Sequence, residues 1–392
     1  MSSPCKSYMG VFRYDDLTGR ERCLITGHQP IMCVGWCPHG VTATPRLATG
    51  SRDQSVAVWE VVSDSIREVW RMTCSAKVDS LAYSRAGSLL ALGLQDGAAL
   101  LVDVSSTTES WQQSSCWQLH GLSKTTVTAL AWSGEETLFT GSGSGVCSIR
   151  CASVFSLYGI HCMHMESLTG RGNACGRLPP HRAILRVGGA DVCTEELHTA
   201  AVRSVSWHPD GSLLTTGSLD SCAQIVDAKT LASVQKLPLE DSAGVYSMAW
   251  HPSGDALACH DGEHGDRLRV VDKAATTTLF SAQKLKYNSK GKNHDMHKGR
   301  TIFAMAWKPD GTTLLSGDYG GVLGIWCKNP KVVDFEAAST PKKTSPSSYF
   351  DGSAGFDTQH SDSIMAITWS PDGQHFATGS FDTDIRIFNF EG

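Results

Sequence analysis

Two stretches of the chain bring a histidine, a serine and an aspartate together, which are the residue types of a nucleophilic hydrolase. In that chemistry the histidine takes a proton from the serine and the aspartate orients the imidazole. The two sets are His198, Ser218 and Asp220, and His360, Ser380 and Asp382. The chain has no G-x-S-x-G elbow, no G-x-x-x-x-G-K-[ST] phosphate loop and no H-E-x-x-H pair. Hydrolysis is therefore the function with least support, and we expect no enzyme activity.

A second group of residues could bind a metal ion. Cysteines and histidines are close together between residues 152 and 197, and soft ligands of these types can hold zinc. They are His161, Cys162, His164, Cys175, His181 and Cys193. Because their spacing fits no common structural zinc site, we interpret the segment as an ordinary extended loop and expect neither a metal nor another cofactor.

A third group is strongly basic. Residues 283–300 contain Lys284, Lys286, Lys290, Lys292, Lys298 and Arg300 against a single acid, Asp295, for a net charge of +5. Interleaved Tyr287 and Asn288 would suit RNA or an acidic protein partner. The alternative is a solvated loop with no partner.

All three groups lie in or beside a repeated unit, whose clearest copy is residues 363–390. SIMAITW alternates with period 2 like a half-buried strand. SPDG follows, where Pro371 pre-sets φ and Gly373 tolerates positive φ, so the chain turns. HFATGS and IRIFNF are two further strands. Three such short strands cannot bury two faces alone, so the unit must stack against copies of itself.

Six further copies follow the same pattern, giving repeats 1 to 7. Each has an aromatic residue at the end of its first strand: Trp36, Tyr83, Trp132, Trp207, Trp250, Trp307 and Trp369. A turn, a strand of small residues such as LATGS or LTTGS, and a third strand such as VAVWEV or AQIVDA follow each aromatic residue. The repeats fill nearly the whole chain, which argues against several separate domains.

These repeats resemble those of WD-repeat β-propellers. The dipeptides Gly27-His28, Trp59-Glu60, Val102-Asp103, Val226-Asp227 and Val271-Asp272 carry the resemblance, together with the seven turns. It implies an all-β fold, a single seven-bladed propeller of four-stranded antiparallel blades. In this family the outermost strand of the last blade comes from the other end of the chain, so Arg20 to Thr26 is the expected closing strand. Residues 1–6 are expected to be disordered and 7–392 to form the propeller.

Spacing between the repeated aromatic residues locates three insertions. Trp207 and Trp250 are 43 residues apart, close to a bare repeat of about 40–45. The longer intervals place extra residues at 152–197, 283–299 and 337–360.

The resemblance also implies a buried hydrogen-bonded set of His, Asp, Ser or Thr, and Trp in each blade. Repeat 1 supplies His28, Asp53 and Trp59 with either Thr49 or Ser51, and Trp59 is the one third-strand tryptophan in a repeat that also keeps the histidine and aspartate. Repeats 4 and 7 supply the two His, Ser and Asp sets named above, with Val226 and Phe388 at the Trp position. Repeats 2 and 5 lack the histidine and repeat 3 has Arg150 at the Trp position. We expect repeats 2, 3 and 5 to rely on apolar packing.

Composition narrows the class of partner and the compartment. The net charge of −5 gives no global field that would attract nucleic acid or an anionic membrane. The 14 cysteines include no C-x-x-C pair, which favours reduced thiols in the cytoplasm or nucleus. No apolar run approaches the ~18 residues of a membrane span. We expect no small-molecule substrate.

The resemblance places a binding face at the turns between second and third strands. The turn residue before the Asp position should point to that face: Arg52, Gln95, Gly143, Leu219, Tyr319 and Phe381, with an acidic turn from Asp261 to Asp266 in repeat 5. Exposed aromatic residues beside an arginine are typical of protein-binding hot spots. The sequence therefore predicts a non-enzymatic interaction scaffold, as one subunit of a larger complex.

Three alternatives stay open. The basic stretch could make the chain an RNA-associated subunit. Val226-Asp227-Ala228-Lys229 partly resembles the W-D-x-[R/K] box of substrate receptors of cullin-RING ubiquitin ligases. Repeats 2 and 5 resemble those of echinoderm microtubule-associated-like proteins, which would imply a cytoskeletal role.

Overall fold

A computed structural model describes most of the chain, and every regular element in the described residues is a β-strand. The described residues are 23–25, 29–38, 44–62, 65–104, 112–118, 125–133, 137–151, 182–187, 190–237, 239, 244–261, 267–275, 277–281, 297, 300–328, 350–358 and 360–390. The predicted disordered residues 1–6 lie outside these ranges.

The described strands form seven antiparallel sheets, which we number by the repeat that supplies the first strand. The short strand β1 is Cys23–Ile25. Sheet 1 contains β2 (Ile31–Trp36), β3 (Arg46–Ser51), β4 (Ser55–Val62) and β5 (Ser65–Thr73). Sheet 2 contains β6 (Val78–Tyr83), β7 (Leu89–Leu94), β8 (Ala98–Asp103) and β9 (Gln112–Gln118). Sheet 3 contains β10 (Val127–Ser133), β11 (Thr137–Ser142), β12 (Val146–Cys151), β13 (Arg182–Val187) and β14 (Ala190–Glu196).

The remaining sheets follow the same order. Sheet 4 contains β15 (Val202–Trp207), β16 (Leu213–Ser218), β17 (Ala223–Asp227) and β18 (Ser233–Lys236). Sheet 5 contains β19 (Met248–Trp250), β20 (Ala256–Asp261), β21 (Arg267–Asp272) and β22 (Thr278–Ser281). Sheet 6 contains β23 (Ile302–Trp307), β24 (Thr313–Asp318), β25 (Val322–Lys328) and β26 (Phe350–Asp357). Sheet 7 contains β27 (Ile364–Trp369), β28 (His375–Ser380), β29 (Ile385–Asn389) and β1.

The expectation of four strands in every sheet is wrong for sheet 3. Its order is β10-β11-β12-β14-β13, because part of the 152–197 insertion folds into a hairpin. The fourth strand β14 pairs with β12, and β13 adds a fifth strand on the outside. The 337–360 insertion likewise contains β26, which pairs with β25 along its whole length. Each of these two segments therefore supplies the outer strand of its sheet in addition to inserted residues.

Sheet 7 takes its outer strand from the other end of the chain. Strand β1 pairs antiparallel with β29, with Cys23 opposite Ile387 and Ile25 opposite Ile385. First strands of successive sheets contact one another from β2 to β27, and β27 contacts β2. Sheets 1 and 7 are thus neighbours although they lie at opposite ends of the described chain.

The apolar core lies between the sheets. Each of its clusters combines residues of two successive sheets, such as Val58 with Leu92 between sheets 1 and 2, and one cluster joins Ile31 of sheet 1 to Ile385 of sheet 7. Burying a side chain of this size stabilises by about 1.5–3 kcal/mol. The stacking that the repeat pattern predicts is therefore where the apolar free energy is gained.

A glycine near the end of most second strands allows neighbouring sheets to pack closely against each other. A Cβ on Gly50 would lie 2.6 Å from Val78 of the next sheet, and one on Gly379 would lie 2.7 Å from Ile31. Sheets 2, 3, 4 and 6 repeat the contact through Gly93, Gly141, Gly217 and Gly317. Sheet 5 has the buried His260 at this position. The glycine of LATGS and its copies is thus explained by packing between sheets.

The repeated first-strand tryptophan also joins neighbouring sheets. The indole Nε1 of Trp132 donates to the carbonyl of Ala82 in the preceding sheet at 3.0 Å. Trp307 and Trp369 make the same bond to Ala249 and Ala306 at 3.2 and 3.1 Å. No helix in the described part of the chain is long and apolar enough to cross a membrane.

Candidate protein-binding face

The six predicted turn residues occupy equivalent positions at one end of their sheets. The backbone N–H of each donates to the carbonyl of a residue at or next to the start of its own first strand. The pairs are Arg52 with Pro30, Gln95 with Lys77, Gly143 with Thr126, Leu219 with Ala201, Tyr319 with Thr301, and Phe381 with Ser363, all between 2.8 and 3.0 Å. We call this end of the sheets the turn face. The acidic turn of repeat 5 lies mostly outside the described residues.

Arg52 and Phe381 meet across the junction of sheets 1 and 7. The Arg52 guanidinium carbon lies 4.5 Å from the centroid of the Phe381 ring. This is within the range of a cation–π contact, which is worth about 0.5–1 kcal/mol at an exposed site. The two predicted residues therefore form one feature, as their places in neighbouring repeats implied.

Tyr319 is the most exposed large aromatic side chain in the described chain, with 62% of its surface accessible. Its ring centroid lies 6.2 Å from that of Phe303, which in turn lies 5.1 Å from Tyr246 in edge-to-face geometry. Tyr319 thus lies at the solvent end of an aromatic row that crosses from sheet 6 to sheet 5.

Gln95, Gly143 and Leu219 lie on other sectors of the turn face. The carbonyl of Gln95 accepts a bond from Thr126 of sheet 3, and Leu219 packs close to Gly244 before sheet 5. The predicted site residues are thus spread around the turn face, with Arg52 and Phe381 in direct contact.

A set of β-bulges lies at this end of the first strands. In six sheets the register of the first strand shifts at its second residue. A bulge redirects the side chain of the extra residue, and bulges are enriched beside binding sites. The bulge residues are Met32, Asp79, Thr128, Arg203, Phe303 and Met365. Sequence reasoning missed them, because apolar alternation does not reveal a one-residue insertion.

Asp79 is the acidic member of these bulge residues. Burial raises the pKa of its carboxyl, while Arg203, Arg52 and Lys77 pull the pKa down in part. These cations come from sheets 4, 1 and 2, so the turn face brings charges from several sheets near one carboxylate.

Sheets 4 and 7 contain the expected buried histidine sets. His198 Nδ1 lies 3.1 Å from Asp220 Oδ2, and its Nε2 lies 2.9 Å from the hydroxyl of Thr216. His360 repeats this arrangement with Asp382 and Thr378, both at 2.8 Å. A neutral imidazole that donates from Nδ1 and accepts at Nε2 satisfies both contacts.

The prediction that Ser218 and Ser380 supply the hydroxyl groups bonded to the histidines is wrong. Ser218 instead donates to the carbonyl of Ala200 and accepts from the N–H of Asp220, and Ser380 does the same with Asp362 and Asp382. The true partners lie two residues earlier. Residues two apart face the same side of a strand, so alternation alone cannot choose between them.

Sheet 6 contains a complete set that the sequence reading missed. His297 Nδ1 lies 3.0 Å from Asp318, its Nε2 lies 2.8 Å from Ser316, and Trp326 Nε1 donates to Ser316 at 2.9 Å. Asp318 occupies the position of Ser218, two residues before the usual aspartate, and Gly320 stands where that aspartate would be. The expectation that Trp59 is the one third-strand tryptophan whose repeat keeps a histidine and an aspartate is therefore wrong, because Trp326 is another.

Sheet 1 retains part of its set in the described residues. Trp59 Nε1 donates to Thr49 at 2.9 Å, which decides between Thr49 and Ser51. Asp53 accepts the N–H of Ser55 at 2.8 Å. His28 lies outside the described residues.

The histidine sets shift the pKa values of their members. Burial alone would raise the pKa of Asp382, but bonds from His360 and from the N–H groups of Asp384 and Ser361 lower it to about 2. Burial lowers the pKa of His198, and Asp220 opposes this only in part. The first shift favours the ionised carboxylate of Asp382, and the second favours the neutral imidazole of His198.

The same geometry argues against catalysis by these sets. Thr216 and Thr378 are completely buried, so their hydroxyl groups cannot meet a substrate. The ligand atoms of His198, Asp220 and Cys222 lie within 4.8 Å of one another and could in principle hold a metal ion. However, Asp220 already accepts bonds from His198 and from the N–H groups of Thr199 and Cys222. These atoms are committed to holding sheet 4 together.

Most of the basic stretch and of the cysteine-histidine segment lies outside the described residues. That applies to Lys284, Lys286, Lys290, Lys292, Lys298, His161, Cys162, His164, Cys175 and His181. Cys193 lies in β14. Arg300 is exposed on the turn face, where its guanidinium covers Gly320 so closely that a Cβ there would lie 2.1 Å away. Asp227 accepts bonds from the N–H groups of Lys229 and Thr230, so its carboxylate caps its own turn.

Family comparison agrees with the pattern of sheets. The family described as WD domain, G-beta repeat, matches residues 20–60, 190–227, 290–327 and 355–389. These four segments of the chain are therefore WD repeats. The four matches fall mainly on sheets 1, 4, 6 and 7, in which a second-strand hydroxyl group bonds a histidine or tryptophan side chain.

Similarity to curated proteins covers short segments. The chain is 29% identical over 92 residues to a probable cytosolic iron-sulfur protein assembly protein 1 from Vanderwaltozyma polyspora, covering 24% of this chain and 26% of that protein. It is 27% identical over 100 residues to Protein HIR1 of Kluyveromyces lactis, covering 26% and 11%. It is 28% identical over 96 residues to polyadenylation factor subunit 2 of Aspergillus fumigatus, covering 23% and 18%. The matched segments thus span about a quarter or less of these relatives.

Solved structures resemble the chain over its whole length. A chain of the crystal structure of the mitotic checkpoint complex superposes with a TM-score of 0.67 at 18% identity, covering 100% of this chain and 98% of that one. The WD40 β-propeller domain of Doa1 gives 0.63 at 14% identity, covering 95% and 97%. At these identities the likeness shows the fold alone.

Proposed function

We propose that residues 7–392 form a single seven-bladed propeller closed by the strand that contains Cys23–Ile25. Three observations support closure: the pairing of β1 with β29, the contact of β2 with β27, and the apolar cluster shared by sheets 1 and 7. Without β1, strand β29 would expose an unpaired edge, and such edges promote aggregation.

Truncation tests this closure. Deleting residues 1–26 should give insoluble or protease-sensitive protein, because β29 loses its partner strand. Deleting residues 1–6 is the matched control and should leave solubility and melting temperature unchanged. A soluble, cooperatively melting protein without its first 26 residues would contradict closure by β1.

The function that this geometry supports best is a non-enzymatic scaffold that binds other proteins as one subunit of a complex. The observation that carries it is the turn face, where Arg52 lies over Phe381 and the Tyr319 ring is mostly exposed. Such combinations of arginine and aromatic residues dominate binding energy at protein interfaces. The names of two similar proteins, a polyadenylation factor subunit and a chain of the mitotic checkpoint complex, also refer to multiprotein assemblies.

Cytoplasm or nucleus is the proposed location. Cys33, Cys37, Cys74 and Cys147 are buried free thiols, and burial raises the pKa of Cys37 to about 11 and that of Cys74 to about 12. Buried thiols of this kind are inert apolar residues, as expected in a reducing compartment.

The structure gives less support to the three alternative functions. The adaptor-binding box would need Asp227 free for a partner, yet its carboxylate caps its own turn. Of the basic residues proposed for RNA binding, Arg300 is the one whose placement is described. No contact of sheets 2 or 5 favours the cytoskeletal role.

Affinity purification followed by mass spectrometry tests the scaffold. Combined substitution of Arg52, Tyr319 and Phe381 by Ala should remove partners without unfolding, because turn residues cost little stability. The control substitutes Arg85, Lys229 and Lys273, at the opposite ends of their sheets, by Ala. Retention of every partner by the first variant and their loss from the second would overturn the assignment of the face.

A further inference from the structure

Three arginines of the turn face lie outside the ion pairs that the described residues form. Arg203 and Arg300 are exposed and Arg52 is half-buried. In the described part of the chain none of these three guanidinium groups forms an ion pair with a carboxylate within 4.0 Å. A guanidinium offers five N–H donors in a planar fork that matches a carboxylate. Three arginines from sheets 1, 4 and 6 are therefore available to an acidic ligand.

Most acids of the same face are already engaged within their own turns. The carboxylates of Asp96, Asp220, Asp362 and Asp382 accept bonds from nearby backbone or side-chain groups. Asp79 is the exception, and it lies near both Arg52 and Arg203 without a hydrogen bond to any described residue. One carboxylate cannot saturate the donors of two arginines, so part of each remains for a ligand.

An apolar surface lies beside these cations. Tyr319 is mostly exposed to solvent. Its ring packs on Phe303, which in turn packs on Tyr246. Arg300 covers Gly320, the residue after Tyr319, which places a cation next to the exposed ring. Any side chain larger than glycine at position 320 would collide with the guanidinium in this position.

We infer that the turn face binds an acidic peptide segment of a partner protein, one that carries an aromatic or large aliphatic side chain among its carboxylates. Its carboxylates pair with Arg52, Arg203 and Arg300, and its apolar side chain packs on Tyr319. The inference rests on the proposed function and names the partner chemistry at the same face.

RNA fits the described residues less well. The three arginines belong to separate sheets around a closed arrangement rather than to a continuous track for a phosphate backbone. Asp79 lies among them, and its negative charge would repel a polyanion that crosses the face. A short peptide can place individual carboxylates beside the arginines and avoid Asp79.

Fluorescence polarisation on the full chain tests the inference. The probes are short synthetic peptides graded from strongly acidic to strongly basic, each made with and without one phenylalanine, and a fluorescein-labelled oligouridine. The acidic peptide with phenylalanine should bind most tightly, and removing the phenylalanine should weaken binding about tenfold.

Charge reversal at the face supplies the matched comparison. Combined Arg52→Glu, Arg203→Glu and Arg300→Glu should weaken binding of that peptide by at least about a hundredfold, since it replaces attraction by repulsion. Combined Arg85→Glu, Lys229→Glu and Lys273→Glu changes the net charge equally and should leave binding within about threefold. Melting temperatures of both variants check that they fold, and Tyr319→Ala, an exposed truncation, should weaken the peptide with phenylalanine selectively.

Three results would overturn the inference: no preference for the acidic peptides, equal losses in the two charge-reversed variants, or tighter binding of oligouridine with a steeper salt dependence. Each is distinguishable from failure of the proposed function. Partners lost from the Arg52, Tyr319 and Phe381 alanine variant would still support a protein-binding turn face, whose partner then has different chemistry.

Discussion

Sheets 4, 6 and 7 differ from sheet 2 in what lies at the same buried positions. Sheet 6 has His297, Asp318, Ser316 and Trp326 joined by hydrogen bonds. Sheet 2 has Leu92 and Val102 where sheet 6 has Ser316 and Trp326, and both are completely buried. The fold therefore accepts either a satisfied polar network or a wholly apolar filling. A buried polar group without a partner should instead lower the stability of its sheet.

Sheet 3 combines features of the polar network and of the apolar filling. Thr140 keeps the hydroxyl position of Thr216 and Thr378, and it is completely buried. Its Oγ1 has no hydrogen-bond partner among the described residues. Replacing the equivalent threonine by valine should therefore lower the stability of sheet 7 but not that of sheet 3.

Removing the buried carboxylate of sheet 6 should have the largest effect. Asp318→Ala leaves His297 and the N–H groups of Gly320 and Val322 without their acceptor. Breaking a buried charged contact of this kind costs about 3–5 kcal/mol. Asp96→Ala in sheet 2 is the control, where the carboxylate bonds Ala98 and Ser75 at a partly exposed turn and should cost about 1 kcal/mol. Urea unfolding measures both, and equal losses would break the comparison.

Acid should weaken sheet 7 through Asp382. Its pKa of about 2 in the folded protein lies below the ordinary value of 3.8, so the unfolded chain binds the proton first. The carboxylate therefore contributes about 2 kcal/mol above pH ~4, and this contribution is lost as the pH falls toward 2. Asp382→Asn should lower the unfolding free energy at neutral pH, with a difference from wild type that shrinks in acid. A difference that stays constant with pH would contradict this account.

The smallest effects come from the hydroxyl groups and differ in sign. Thr378→Val removes the bond partner of His360 and should cost about 1–3 kcal/mol. Thr140→Val replaces an unpartnered hydroxyl by a methyl group of the same shape, so it should be neutral or stabilising. Thermal melting of the two variants side by side decides whether the sheets differ as described.

Much of the fold could be predicted from local chemistry. The repeated X-P-D-G turns and the related H-P-S-G turn predict positive φ at their glycine, and Gly211, Gly254, Gly311 and Gly373 have φ between 66° and 78°. The period-2 pattern places the first strands correctly, because one face of each packs on the next sheet. The fifth strand of sheet 3 could not be predicted in this way, since Arg182–Val187 lies in a segment without a repeat to compare.

The site was harder to predict, for reasons that particular residues show. Arg52 and Phe381 could be placed together because circular order makes repeats 1 and 7 neighbours. The sheet 6 network was missed because Asp318 comes two residues early and His297 lies within a stretch that composition marks as a basic loop. Asp79 and Arg203 were missed because apolar alternation does not reveal the bulges at which both residues lie.

The pairing of β1 with β29 also sets an order for folding during synthesis. Strand β1 is the first described strand to leave the ribosome, yet its partner β29 is the last. Sheets 1 to 6 can form in turn as translation proceeds, while β1 remains without a partner until the final repeat has emerged. Contacts between such distant residues form slowly, and unpaired strands in the meantime invite misassociation. Pairing of β1 therefore has to wait until β29 has been translated, and until then β1 is an exposed strand edge that can misassociate.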